Sequence, residues 1–162
     1  MDKKQAVYDA LSRQSIAYTV MEHPAVYTME EMEKLHITEE GEVVKNLFLR
    51  NAKGKIHYLI VLPGDKKADL KGIAAKLGST ALSFASEQRL EKYLGLSKGS
   101  VSPLGVINDA AHEVIVAFDK SLEGKEKIGV HPNENTATLW LRFEDLKRFV
   151  ESCENQALLL DL

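Results

Sequence analysis

The sequence predicts an α+β fold built around a mixed or largely antiparallel sheet. Two observations carry that prediction. Helical and strand-like periodicities are interspersed without a regular βαβ repeat, and the two most β-rich runs, Val43 to Arg50 and Lys55 to Leu62, are joined by the short turn Asn51-Ala52-Lys53-Gly54. That spacing makes an antiparallel hairpin the simplest arrangement.

Each element has a local reason. Lys3 to Gln14 carries Ala6, Val7, Ala10 and Leu11 at helical spacing, and Ala17 to Met21 reads as a short strand. His23-Pro24 ends that strand, because proline restricts the residue before it and cannot donate to a ladder. Thr28-Met29-Glu30-Glu31 is a capping-box pattern for a short helix through Leu35. After the hairpin, Asp69 to Gly78 has an acidic start, helical apolar spacing and a glycine stop. Ala81 to Phe84 reads as a short strand, Ser86 to Leu94 as a helix with Ser86 as N-cap and Gly95 as stop, and Gly99 to Gly105 as a loop. Glu113 to Phe118 and Thr136 to Leu141 are late strands, with Trp140 expected in core packing. Phe143 to Cys153 closes the series with helical spacing through Phe143, Leu146, Phe149 and Val150.

The bulk composition bounds the function. A chain of 162 residues, 44% hydrophobic and 28% charged, fits a single soluble domain over residues 1–162. No apolar run is long enough to cross a bilayer, and the N-terminus lacks a signal-peptide core, so the cytoplasm is the expected location and no membrane partner is expected. The lone Cys153 cannot form an internal disulfide and reads as a packed thiol. A formal charge of −3 lacks the basic excess that a general nucleic-acid binder uses to release counterions; Lys66, Lys67 and Lys71, and Lys120, Lys125 and Lys127, form local clusters that leave room for a transient RNA contact on one face and, each taken alone, read as solvated surface lysines. No heptad or long exposed apolar helix announces a partner, which makes a monomer the simplest state.

Three polar loci interrupt this apolar scaffold. In Val43-Val44-Lys45-Asn46-Leu47-Phe48-Leu49 a lysine and an asparagine stand in an otherwise buried strand, which costs free energy unless something is bound there. Gly99-Ser100-Val101-Ser102-Pro103-Leu104-Gly105 is a loop of small residues through which backbone amides can approach a ligand. Gly129 to Thr136 sets His131 beside polar turn residues. The five histidines are scattered, and none pairs with another ligand at metal-site spacing, so no metal is expected. No Ser-His-Asp order or paired carboxylates stand out as a general-base system.

Together with His23-Pro24-Ala25-Val26-Tyr27-Thr28, these segments make the chain resemble the YbaK/aminoacyl-tRNA-editing family, also known as prolyl-tRNA-synthetase-associated domains, and in particular its free-standing ProX/PrdX-like members. The four segments occur in the family's order and cover nearly the whole length. The resemblance implies a curved, barrel-like mixed sheet and a pocket for the aminoacylated 3′ end of tRNA(Pro). It implies hydrolysis of mischarged alanyl-tRNA(Pro) without metal or organic cofactor, with a substrate 2′-hydroxyl assisting the attacking water. Lys45 matches the family's central lysine, and Gly99 and Pro103 match its glycine–proline loop. On this basis Lys45, Gly99 and Ser100 are the expected catalytic residues, and Asn46, Ser102, Pro103 and His131 the expected polar and loop contacts. Val26, Tyr27, Leu47 and Val130 are the expected walls of a sieve that admits alanine and excludes proline. Where the family pattern would place an arginine before Phe84, this chain has Ser83. Transient contact with prolyl-tRNA synthetase or an elongation factor belongs to the same expectation. Two alternatives stay open: another substrate, cysteinyl-tRNA(Pro) first, and a non-catalytic module that holds a charged tRNA end or a synthetase surface.

Overall fold

The helices begin and end where local chemistry directs them in the computed structural model, which describes residues 2–162. The first, α1 (Lys3–Arg13), starts at Asp2, whose carboxylate accepts from the Lys4 amide, and buries Val7, Ala10 and Leu11 along one face. At α2 (Met29–Lys34) the Thr28 hydroxyl oxygen accepts from the Glu31 amide at 3.1 Å, and the Glu31 carboxylate reaches back to the Tyr27 amide. Both α3 (Leu70–Leu77) and α4 (Glu87–Leu94) have the expected caps, Asp69 and Ser86, and end at Gly78 and Gly95. The last, α5 (Phe143–Ser152), turns Phe143, Leu146, Phe149 and Val150 inward.

The strands are β1 (Thr19–Glu22), β2 (Glu42–Arg50), β3 (His57–Pro63), β4 (Ser83–Phe84), β5 (Val114–Asp119), β6 (Ile128–Val130), β7 (Ala137–Leu141) and β8 (Ala157–Leu160). They form one sheet in the order β1-β7-β6-β2-β3-β5-β8, with β4 beside β2. Four of the seven pairings are antiparallel, including the expected β2–β3 hairpin, in which Val44 faces Pro63 and Arg50 faces His57. The β2–β6, β3–β5 and β5–β8 pairings are parallel.

Strand alternation divides the core. Leu59 and Val61 of β3 join Val44 and Phe48 of β2 in the main cluster, which α1, α4 and α5 cover. Tyr58, Ile60 and Leu62 point the other way, with Leu49, toward Ile73 of α3. Residues of β6 and β7, including Ile128, Val130, Leu139 and Leu141, belong to that main cluster too, so the sheet curls around it. The sheet is curved as the resemblance implies, without closing: β1 and β8 are the two ends of the strand order and do not pair.

Two strands and three helical turns depart from the sequence expectation, Ile37–Glu39 and Lys120–Leu122 among the turns. In β6, a three-residue run with glycine at its centre, pairing replaces any hydrophobic pattern, and β8 is a continuous apolar run four residues after α5. The Gly99 to Gly105 segment, expected to be loop throughout, winds into a 3-10 helix over Pro103–Asn108 because the Ser102 hydroxyl oxygen accepts from the Leu104 amide and proline presets the first turn.

Candidate functional site

One edge of β2 belongs entirely to β3, whereas the other is shared: β6 pairs only with Glu42 and Val43, and β4 only with Leu49 and Arg50. Between Val43 and Leu49 that edge has no strand partner among the described residues, and a cavity of about 210 Å³ opens beside it. Its walls come from β2 (Val43, Val44, Asn46), β6 and its end (Gly129, Val130, His131), Thr138 of β7, the segment Val26 to Met29 with Met32, and the tip of the loop at Gly99 and Val101. The three polar loci of the sequence therefore meet in space.

Asn46 stands at the middle of the open edge. Its side-chain amide donates to the Val101 carbonyl at 3.4 Å, and its Oδ1 is buried with no partner among the described residues. A buried orphan acceptor in a cavity wall is unusual enough to mark a place for a ligand donor. Opposite it, Gly99 lies at φ +92, a conformation that L side chains rarely adopt, and the ring of Tyr27 packs on its face. The Ser100 amide is taken by the Ser97 carbonyl at 3.0 Å, whereas the amides of Gly99 and Val101 have no partner among the described residues. Both residues line the cavity, so the loop brings two amides without a partner among the described residues to its wall.

His131 is held by the backbone. Its Nδ1 lies 3.1 Å from the Ala137 carbonyl oxygen, so Nδ1 carries the hydrogen and Nε2 keeps a lone pair. Burial lowers its pKa; the Ala137 bond opposes this and the nearby His23 adds to it, so the ring is a neutral imidazole at neutral pH. His23 repeats the device: Nδ1 meets the Pro24 carbonyl at 2.8 Å and Nε2 meets the Thr138 hydroxyl at 2.9 Å. The turn between His131 and β7 is tied to the Val26 wall of the cavity. Asn135 donates to the Val26 carbonyl at 2.8 Å, and the Val26 amide returns to the Asn135 carbonyl at 3.2 Å.

Of the residues singled out from sequence, Val26, Tyr27, Asn46, Gly99, Val130 and His131 line the cavity. Ser100, Ser102 and Pro103 sit behind its loop wall, buried, with Ser102 acting as a helix cap. Leu47 lies on the opposite side of β2, against the α3-side cluster. Lys45 alternates to that side too; its ammonium does not line the cavity but donates to the main-chain carbonyl of Lys66. Thr138, Met29 and Met32 were not anticipated. Thr138 carried a readable signal, a polar residue inside the apolar strand Ala-Thr-Leu-Trp-Leu; the methionines carried none.

A curled α+β sheet with a small cavity, a buried acceptor without a partner, two loop amides without partners among the described residues and one neutral imidazole defines a ligand-binding domain. Sequence comparison makes the class specific: the chain belongs to the family described as the aminoacyl-tRNA editing domain, whose model matches residues 23–149. It is 56% identical over 155 residues to the prolyl-tRNA editing protein ProX of Acetoanaerobium sticklandii, covering 96% of this chain and 94% of that one. It is 34% identical over 162 residues to the prolyl-tRNA synthetase associated domain-containing protein 1 of Bos taurus, covering 98% of this chain and 94% of that one. A crystal structure assigned as a candidate trans-editing enzyme for prolyl tRNA synthetase shares the fold, with a TM-score of 0.77 at 22% identity over 100% of this chain and 97% of that one.

Proposed function

We propose that this chain, as a single domain over residues 1–162, is a trans-editing hydrolase that cleaves the aminoacyl ester of mischarged alanyl-tRNA(Pro). The observation that carries the reading is the meeting of Asn46, Gly99, Val101 and His131 in the lining of one cavity of about 210 Å³. The relationship to ProX supports the substrate class.

Water adds to the ester carbonyl carbon, the carbonyl oxygen takes up negative charge, and the ribose oxygen then leaves with a proton. Fixed donors aimed at the developing oxyanion are worth most in such a step. In this chain the Gly99 and Val101 amides are those donors, and the Lys45 ammonium, held on the Lys66 carbonyl outside the cavity lining, supplies positive charge toward the ester carbonyl or the terminal phosphate of a bound substrate. Asn46 Oδ1 and His131 Nε2 accept from the substrate ammonium or from the water. The 2′-hydroxyl of the terminal ribose helps to activate that water. Val26, Tyr27 and Val130 bound the space for the amino-acid side chain. The sieve is needed because a synthetase pocket built for proline gains only about 1–3 kcal/mol per missing methylene against the smaller alanine.

The test is amino-acid release from alanyl-, cysteinyl-, seryl- and prolyl-tRNA(Pro), by the wild-type protein and by Lys45→Ala. Rapid loss of alanine, abolished by the substitution, is the expected result; a 2′-deoxy terminal adenosine should slow it. Loss of cysteine instead would reassign the substrate. Binding of every charged tRNA without cleavage would replace the enzyme by a binding module.

A further inference from the structure

The Lys45 ammonium is caught by a carbonyl whose own position is held by a buried ion pair. We propose that Lys66 and Asp119 are positioning residues that fix the Lys45 ammonium behind the cavity wall formed by Met29 and Val43, an inference that rests on the catalytic role assigned to Lys45 above. Lys45 leaves β2 on the side opposite Asn46, and a free lysine stem there would range through solvent. Instead Nζ donates to the Lys66 carbonyl oxygen. That carbonyl belongs to a turn following β3, closed by the Lys66 amide on the Pro63 carbonyl at 3.0 Å.

The same turn touches the cavity wall. A β-carbon on Gly64 would stand 2.5 Å from both Met29 Cε and the Val43 carbonyl oxygen, and Met29 and Val43 both line the cavity. Holding the turn therefore places the Lys45 charge against the back of the site. The hold is Asp119, at the end of β5, with a side chain only 1% exposed. Its carboxylate accepts from Lys66 Nζ at 3.1 and 3.2 Å, from the Ser121 hydroxyl, and from the Leu162 amide at 2.9 Å. Burial alone would push Asp119 up; the Ser121, Leu162 and Lys66 donors outweigh it and keep the carboxyl below its ordinary value. A buried, ionised, fully donated carboxylate is a rigid anchor.

Lys66→Met keeps the carbonyl and most of the stem but removes the charge that binds Asp119; Asp119→Asn removes the anchor from the other side. In single-turnover and steady-state deacylation of alanyl-tRNA(Pro), each should lower kcat about 10- to 100-fold, the scale of a misplaced catalytic group, with KM within about twofold of wild type. Lys66→Arg should restore most of kcat. Added to Lys45→Ala, either substitution should cause no further loss, because the positioned group is already gone. If Lys45→Ala inactivates while Lys66→Met and Asp119→Asn keep wild-type kcat, the positioning role is wrong and the reading of Lys45 stands. If the losses multiply with that of Lys45→Ala, the pair acts elsewhere in the fold and the proposal is overturned. If Lys45→Ala is itself fully active, the proposed catalytic role of Lys45 fails first. Should Asp119→Asn not fold, Lys66→Met and its rescue by Lys66→Arg decide the matter alone.

Discussion

The ring of Tyr27 rests directly on Gly99: a β-carbon at position 99 would stand 2.8 Å from Tyr27 Cδ1. Two separate costs then fall on Gly99→Ala, the clash with the ring and the φ of +92. Left-handed backbone at a residue with a side chain costs about 1–3 kcal/mol. Thermal unfolding should show a loss of that order, and deacylation should fall with it because the free amides of the loop move.

Tyr27 itself should behave in the opposite way. It is 68% exposed, so its removal forfeits little packing. A base stacked on an aromatic face is worth about 1–3 kcal/mol. Tyr27→Ala should therefore leave the unfolding midpoint unchanged while raising KM for charged tRNA by about 5- to 100-fold, read by steady-state kinetics.

Asn46 offers a trade between stability and function. Its Oδ1 is buried without a partner, and its one bond, to Val101, is long at 3.4 Å. Asn46→Leu should therefore hold or raise the unfolding free energy by up to about 1 kcal/mol, since it removes an unpaired polar atom. The same change should weaken binding of a non-hydrolysable aminoacyl-adenosine analogue at least about tenfold, the loss of one charge-assisted hydrogen bond. Isothermal titration and chemical denaturation of the same variant check both halves.

Acid should destabilise the fold through His57. Burial first, then the charges of Arg89, Arg50 and Lys92, lower its pKa from 6.5 to about 4. Between those values the unfolded chain binds a proton that the folded chain refuses, so stability is full above pH 6.5 and falls as the pH drops toward 4. Protonation would also break the acceptor role of Nε2 toward Arg89, 3.0 Å away. His57→Gln should flatten this pH dependence of the unfolding midpoint. The lowered pKa of His131 acts in the same direction, and activity should persist below the ordinary histidine range before it is lost.

What was legible in the sequence was local chemistry. Thr28, Asp69 and Ser86 cap the helices they precede, and Gly78 and Gly95 end them, because each effect acts within one turn of the chain. The hairpin was equally readable from its turn. The β2–β6 pairing was not: it is parallel, spans only Glu42–Val43, and joins segments about half the chain apart. That pairing brings Asn46 and His131 to one cavity, so their meeting followed only in part from polar residues in apolar company. The side taken by Lys45 could have been read from alternation, since it is adjacent to Asn46 and two residues from Leu47. Its capture by a main-chain carbonyl could not, because a carbonyl has no residue identity.

The divergence of β2 from β6 has a mechanical consequence. Opposite walls of the cavity ride on two arms of one bent sheet, so the gauge of the opening is set by how far the arms spread. Under the proposed editing function, discrimination between two amino acids that differ by a few atoms becomes a property of stiffness: a substitution deep in the shared core, far from any ligand, can loosen the aperture without altering a single group that faces it.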